Sequence, residues 1–288
     1  MKRIAIIVTV VGMCVGSWAQ DKPAAQNPPA GQANGQAAGQ AAAPQGKRPP
    51  KVNSQEEYNA YKAAVAVADA AELDKAANEF ATKYPASELR PLVFKAAMQR
   101  YQQSNNADKM VELARKVLAI DPDDPEALLG IAQVEGEQVK DDSLDKDQRL
   151  AQAKKEAEHA LETIETDVPT SGYSPEQVNA YKSFLRSQAY FVLGTVSYKA
   201  GNWPEAETNL RKSIDALPQQ PDVIAVYRLA LALDFQNKIP DAIKVAQQAV
   251  DLTKDNPDSP AGKAARQELD RLNKYVPGTP GQSAPPKK

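Results

Sequence analysis

The stretch Ser187–Pro218 constrains this chain more than any other. Apolar residues recur at helical spacing to about Ala200, Gly201-Asn202 breaks the pattern, and a second periodic run, Trp203 to Leu217, ends at Pro218. This is a helix, a tight turn and a returning helix. Gly194 and Ala206 are small, so the two helices can approach closely where they face each other. Tyr190, Leu193 and Leu210 supply apolar area worth roughly 1.5–3 kcal/mol for each fully buried side chain. One helix pair cannot cover its own apolar face, so similar pairs are expected to stack on both sides of it.

The residue pattern is that of a known repeat. Tyr190, Leu193-Gly194, Ser197 with Tyr198 beside it, Ala206, Leu210, Ser213 and Pro218 fill the successive slots of W-x2-L-G-x2-Y…A-x3-F…P. The stretch therefore resembles a tetratricopeptide repeat. The resemblance implies an all-α, right-handed α-solenoid of helix-turn-helix repeats closed by a C-terminal capping helix. It specifies fold much better than partner.

Further units follow in both directions. Ser54 and Glu57 form a capping-box start for an Ala-rich helix to about Ala71, and Glu72 to Tyr84 is its degenerate partner, closed by Pro85. Pro91–Pro122 is a cleaner unit, with a turn at Ser104-Asn105-Asn106 and a stop at Pro122. Pro125 opens a third unit, whose second helix is expected by Arg149. There Ala132 to Ala153 spans 21 positions against 12 from Gly194 to Ala206, so a charged insertion at Asp141–Asp147 is expected as a surface loop or a functional edge. Ser174-Pro175 starts a long helix leading into the central pair. A shift of 36 residues (Ala206 to Ala242) gives the next unit, and Ser259 to Tyr275 reads as a closing amphipathic helix. The expected organisation is a leader over 1–19, a disordered Pro/Ala/Gln/Gly linker over 20–50, repeats over 51–167 and 168–275, and a disordered tail over 276–288. Lys47, Arg48 and Lys51 form a basic knot at the linker's end, expected to be solvated or to dock acidic partners.

The leader begins with Lys2-Arg3, continues as the apolar run Ile4–Val15 and ends in Ser17-Trp18-Ala19. That order reads as a secretory signal peptide, with cleavage expected after Ala19 and the mature protein expected in the periplasm or outside the cell. The apolar run is shorter than the roughly 20 residues of a membrane span. A membrane association is expected only if the leader is retained or lipidated. Met13 before Cys14 fits a lipidation site poorly.

Chemistry is hard to place on this chain. Cys14 is the one cysteine and His159 the one histidine, and His159 sits on a charged helix where a solvated role is expected. There is no Walker loop, G-x-G-x-x-G, G-x-S-x-G or H-E-x-x-H. The carboxylate runs at Asp121–Glu126 and Asp141–Asp147 lack the central Gly and closing Glu of a calcium loop. A formal charge of −2 does not suit a nucleic-acid binder. No enzyme activity, metal or cofactor is expected, and the expected partner is a protein or peptide.

In proteins of this type the first helices of the repeats line a concave face that holds the ligand. Carried onto this chain, that face would comprise Lys95, Gln99, Gln102, Leu129, Gln133, Phe191, Thr195, Tyr198, Tyr227, Leu231 and Asp234. Only Lys95 stands out as a cation there, so a clamp for a terminal carboxylate is not supported. Packing between helices is the other reading of each aromatic. The expected function is that of an exported, non-enzymatic scaffold in envelope assembly or maintenance. A self-assembling envelope component and an enzyme are the alternatives.

Overall fold

The computed structural model describes residues 46–274. The leader, the linker up to residue 45 and the tail lie outside them. Eleven helices follow one another: α1 (Gln55–Val65), α2 (Ala70–Lys83), α3 (Arg90–Gln103), α4 (Ala107–Leu118), α5 (Pro125–Gln138), α6 (Lys146–Asp167), α7 (Pro175–Lys199), α8 (Trp203–Ala216), α9 (Val223–Phe235), α10 (Ile239–Leu252) and α11 (Pro260–Lys274). Each helix packs on its sequence neighbours, and α11 also closes over α9. The described residues form an all-α solenoid of helix pairs, and none of the helices is long and apolar enough to cross a membrane.

Three core clusters succeed one another along the array. The first is built from α1 to α5, the second from α5 to α7, and the third from α7 to α11. Helices α5 and α7 each contribute to two clusters, which makes the apolar core continuous. This is the arrangement that single pairs with uncovered faces require. Ala265 and Leu272 of α11, both fully buried, seal the last cluster.

Three of the turns inside the pairs share one chemistry. Asn105, Gly201 and Asn237 have φ of 56°, 76° and 62°. In each case the residue after them donates its backbone N–H back to the carbonyl of Tyr101, Ser197 or Leu233. This left-handed closure satisfies otherwise orphaned carbonyls, and it needs Gly or Asn at the turn. Asn106 and Asn202 then cap α4 and α8, each side chain accepting a backbone N–H three residues on.

Three boundaries differ from expectation. Helix α1 ends at Val65, about a turn and a half early, because Asp69 caps α2 by accepting the N–H groups of Ala71 and Glu72. Helix α6 starts at Lys146, so the nine extra residues of the third unit are shared between the connection 139–145 and an added turn of helix. The described chain also begins before Pro50, where Lys47 and Arg48, though partly exposed, already pair with carboxylates of the helical array.

Candidate partner-binding cleft

First helices pack side by side along one face: α1 on α3, α5 on α7, α7 on α9, and α9 on α11. The pair α3 and α5 is the exception, with little close backbone approach. Met98 and Met110 fill the gap, with Met110 Cε 3.7 Å and Met98 Sδ 3.8 Å from where a Cβ on Gly130 would lie. Above them a cleft of about 60 Å³ opens between α3, α5 and α7. Its floor is apolar, with Leu129, Leu185 and Val192, and Phe184 stands at its side.

Its polar lining is unusual in composition. Gln99 and Gln102 from α3, Gln133 from α5 and Gln188 from α7 all face the cleft. All four are half-buried, and none has a side-chain hydrogen bond among the described residues. Gln236, the other half-buried glutamine, bonds Glu207 and two backbone carbonyls. A glutamine amide offers two donors and one acceptor oxygen, which matches the N–H and C=O of an extended chain.

The end of the cleft nearest the N-termini of α3, α5 and α7 is charged and closed. Lys95 lies 3.0 Å from Asp124 and 3.0 Å from Glu126. Oε2 of Glu126 is sealed from solvent with only that ammonium beside it, while Oε1 accepts the Tyr181 hydroxyl. Asp124 also caps α5 through the Ala127 N–H at 3.0 Å. Burial would lower the Lys95 pKa, but the two carboxylates outweigh it and hold the ammonium charged. Burial together with the Glu126 charge pushes the Tyr181 hydroxyl well above its ordinary range.

No family model and no curated protein matches the chain. Among solved structures it is similar to the crystal structure of PilW, a widely conserved type IV pilus biogenesis factor. The identity is 19%, the TM-score 0.48, and the match covers 79% of this chain and 96% of that one. So loose a likeness transfers no residue and no role.

The structure thus gathers Gln99, Gln102, Leu129 and Gln133 from the expected face into one cleft. Lys95 is near them but is committed to the fold by its two carboxylates. The later residues lie elsewhere. Phe191 is buried beneath the Arg228 guanidinium, whose carbon is 5.2 Å from the ring centroid. Thr195 is 1% exposed and accepts from Arg228 at 2.6 Å. Arg228 also pairs with Glu137 through both nitrogens, at 2.5 and 2.7 Å, tying α9 to α5 across α7. Tyr198 packs edge-on against Trp203 and Phe235, and burial raises its hydroxyl pKa to about 12. Tyr227 and Leu231 are half-buried on α9, Tyr227 packing against the third core cluster. Asp234 is buried and bound to Arg271 of α11 at 2.7 Å. These six residues do not form an open aromatic row.

Phe184, Gln188 and Tyr181 were outside the expected set. The repeat pattern anchors α7 at Leu193-Gly194, whereas these residues lie one to three turns earlier on a 25-residue helix. The length of the periodic run from Pro175 was the available signal. His159 is not free in solvent: its Nε2 lies 2.8 Å from Asp123, joining α6 to the connection before α5. No group of His, Cys, Asp and Glu among the described residues is arranged to hold a metal ion.

Proposed function

We propose that this protein is a non-enzymatic scaffold that binds an extended segment of another polypeptide across α3, α5 and α7. The observation that carries the reading is the set of four half-buried glutamine amides without protein partners, all turned to one cleft. Leaving such groups half-desolvated and unpaired is costly. A chain laid across them would satisfy them through its backbone, and its side chains would meet Met98, Leu129 and Phe184. Packed helices lie about 9 Å apart and α3 and α5 are spaced more widely, so the two steps span at least roughly 18 Å, the reach of about six extended residues.

A photo-crosslinking residue at Gln133, in the native cell, tests this. Adducts with a polypeptide should form there and not at the exposed Gln219, and should fall sharply when Gln102 and Gln188 are changed to Ala. Equal labelling at both positions, or adducts indifferent to the two changes, would overturn the reading. Export is part of the same proposal and rests on Lys2-Arg3, Ile4–Val15 and Ser17-Trp18-Ala19. Protein from its own cell should begin at or near Gln20. A chain starting at Met1 in the cytosol would remove the scaffold from the envelope.

A further inference from the structure

We propose that Lys47–Lys51 is an ionic strap that sets the distance between α3 and α5, and with it the width of the cleft. Only the functional consequence rests on the partner-binding reading; the mechanical claim stands on the contacts of the strap.

The strap touches three connections in turn, and each one feeds a wall of the cleft. Glu88 lies just before α3. Arg48 grips it with both terminal nitrogens, at 2.7 and 2.8 Å, and the Lys51 backbone N–H donates to it at 2.8 Å. Asp121 lies just before α5 and pairs with the Lys47 ammonium. Asp167 ends α6 and Val168 caps it, opening the connection that leads to α7 at Pro175. The same ammonium reaches Asp167 at 3.3 Å, and the Lys47 N–H donates to the Val168 carbonyl at 3.1 Å. A parallel bridge pairs Lys47 with Pro169. Two adjacent residues, Lys47 and Arg48, are thus bound to opposite sides of the α3–α5 gap. Pro49-Pro50 stiffens the segment between the two groups that hold Glu88.

The gap is where such a device has an effect. Other adjacent first helices approach closely along their backbones, whereas α3 and α5 are joined by the Lys95 ion pairs with Asp124 and Glu126 at one end and, beside them, by Met98 of α3 and Met110 of α4 over Gly130. Methionine side chains adapt to different spacings more readily than branched ones. The methionine-lined part of the gap can therefore adjust without opening a void, and the strap adds a restraint from outside the core to the Lys95 ion pairs within it. The strap's charges are partly exposed, so salt weakens them, and the restraint is releasable.

The test uses the full chain with Cys14→Ser and nitroxide labels on cysteines at the exposed ends of α3 and α5, Gln103 and Gln138. Pulsed electron resonance should give one narrow distance. In Lys47→Ala/Arg48→Ala that distance should shift or broaden by several ångströms, with helicity unchanged by circular dichroism. Glu88→Gln should do the same in smaller measure. Molar salt should reproduce the shift in the otherwise unchanged chain, which keeps the test decisive if the double variant folds poorly. Superimposable distances in all these conditions would overturn the strap. The measurement involves no ligand, so it fails or succeeds independently of what the cleft binds.

Discussion

Gly194 of α7 faces Leu210 of α8 so closely that a Cβ at position 194 would stand 2.6 Å from Leu210 Cγ and 3.2 Å from its backbone nitrogen. No side chain fits there unless the helices part. Gly194→Leu should therefore destabilise the fold by at least roughly 1–3 kcal/mol. Even Gly194→Ala should be destabilising, although alanine favours a helix by about 1 kcal/mol over glycine. Ala206, fully buried on the same pair, should tolerate leucine no better. Urea midpoints check this, and unchanged midpoints would contradict the observed contact.

Truncation should separate the cleft from the seams. Gln133→Ala removes a half-buried amide that has no protein partner, so the melting temperature should stay nearly constant while polypeptide capture falls. Tyr198→Ala removes a ring packed edge-on against the stacked pair Trp203 and Phe235. It should cost roughly 2–3 kcal/mol, somewhat below the value for a fully buried aromatic. Melting and capture measured on both variants should show the opposite pattern in each.

Arg228→Met keeps an apolar stem over Phe191 but abandons Glu137 and Thr195. Glu137 would remain largely shielded without its guanidinium. A loss of about 1–3 kcal/mol is expected, less than for a fully sealed ion pair because both partners keep some exposure. Thermal denaturation of this variant beside Glu137→Gln/Arg228→Met would show how much of the loss is the stranded carboxylate.

The strap should respond to acid in a defined direction. Arg48 and the Lys51 N–H lower the Glu88 pKa from 4.5 to about 2. A carboxylate depressed in the folded state contributes fully above its unfolded value and loses that contribution as pH falls through the folded one. The contact should therefore be intact above pH 4.5 and be lost toward pH 2. Carboxyl carbon resonances would show Glu88 titrating near the lower value, and Arg48→Ala should return it toward 4.5.

Much of this molecule was legible because its turns are written in residue types. Gly201-Asn202 and Asn105-Asn106 mark left-handed closures and caps that only a few side chains make. The end of α1 was less legible, since an alanine-rich run continues past Val65 and only the Asp69 side chain stops it. On the expected binding face, periodicity assigned residues to a helix side but not to a neighbour. The repeat register places Thr195 and Asp234 on the ligand face, yet both are buried, because Arg228 and Arg271 from later helices bind them. Lys95 is the same case, its partners Asp124 and Glu126 being some 30 positions away. The cleft itself was half visible. Glutamines on α3 and α5 were found from the repeat register, while Gln188 was missed because α7 is longer than the unit that identified it.

The course of the strap also fixes where the upstream part of the chain joins the array. The described chain starts at Gly46, packed against Thr170 and Val168 in the connection between α6 and α7, rather than beside α1. Anything attached upstream therefore pulls near the midpoint of the array. A load applied there is carried by Lys47 and the Val168 carbonyl before it reaches α1.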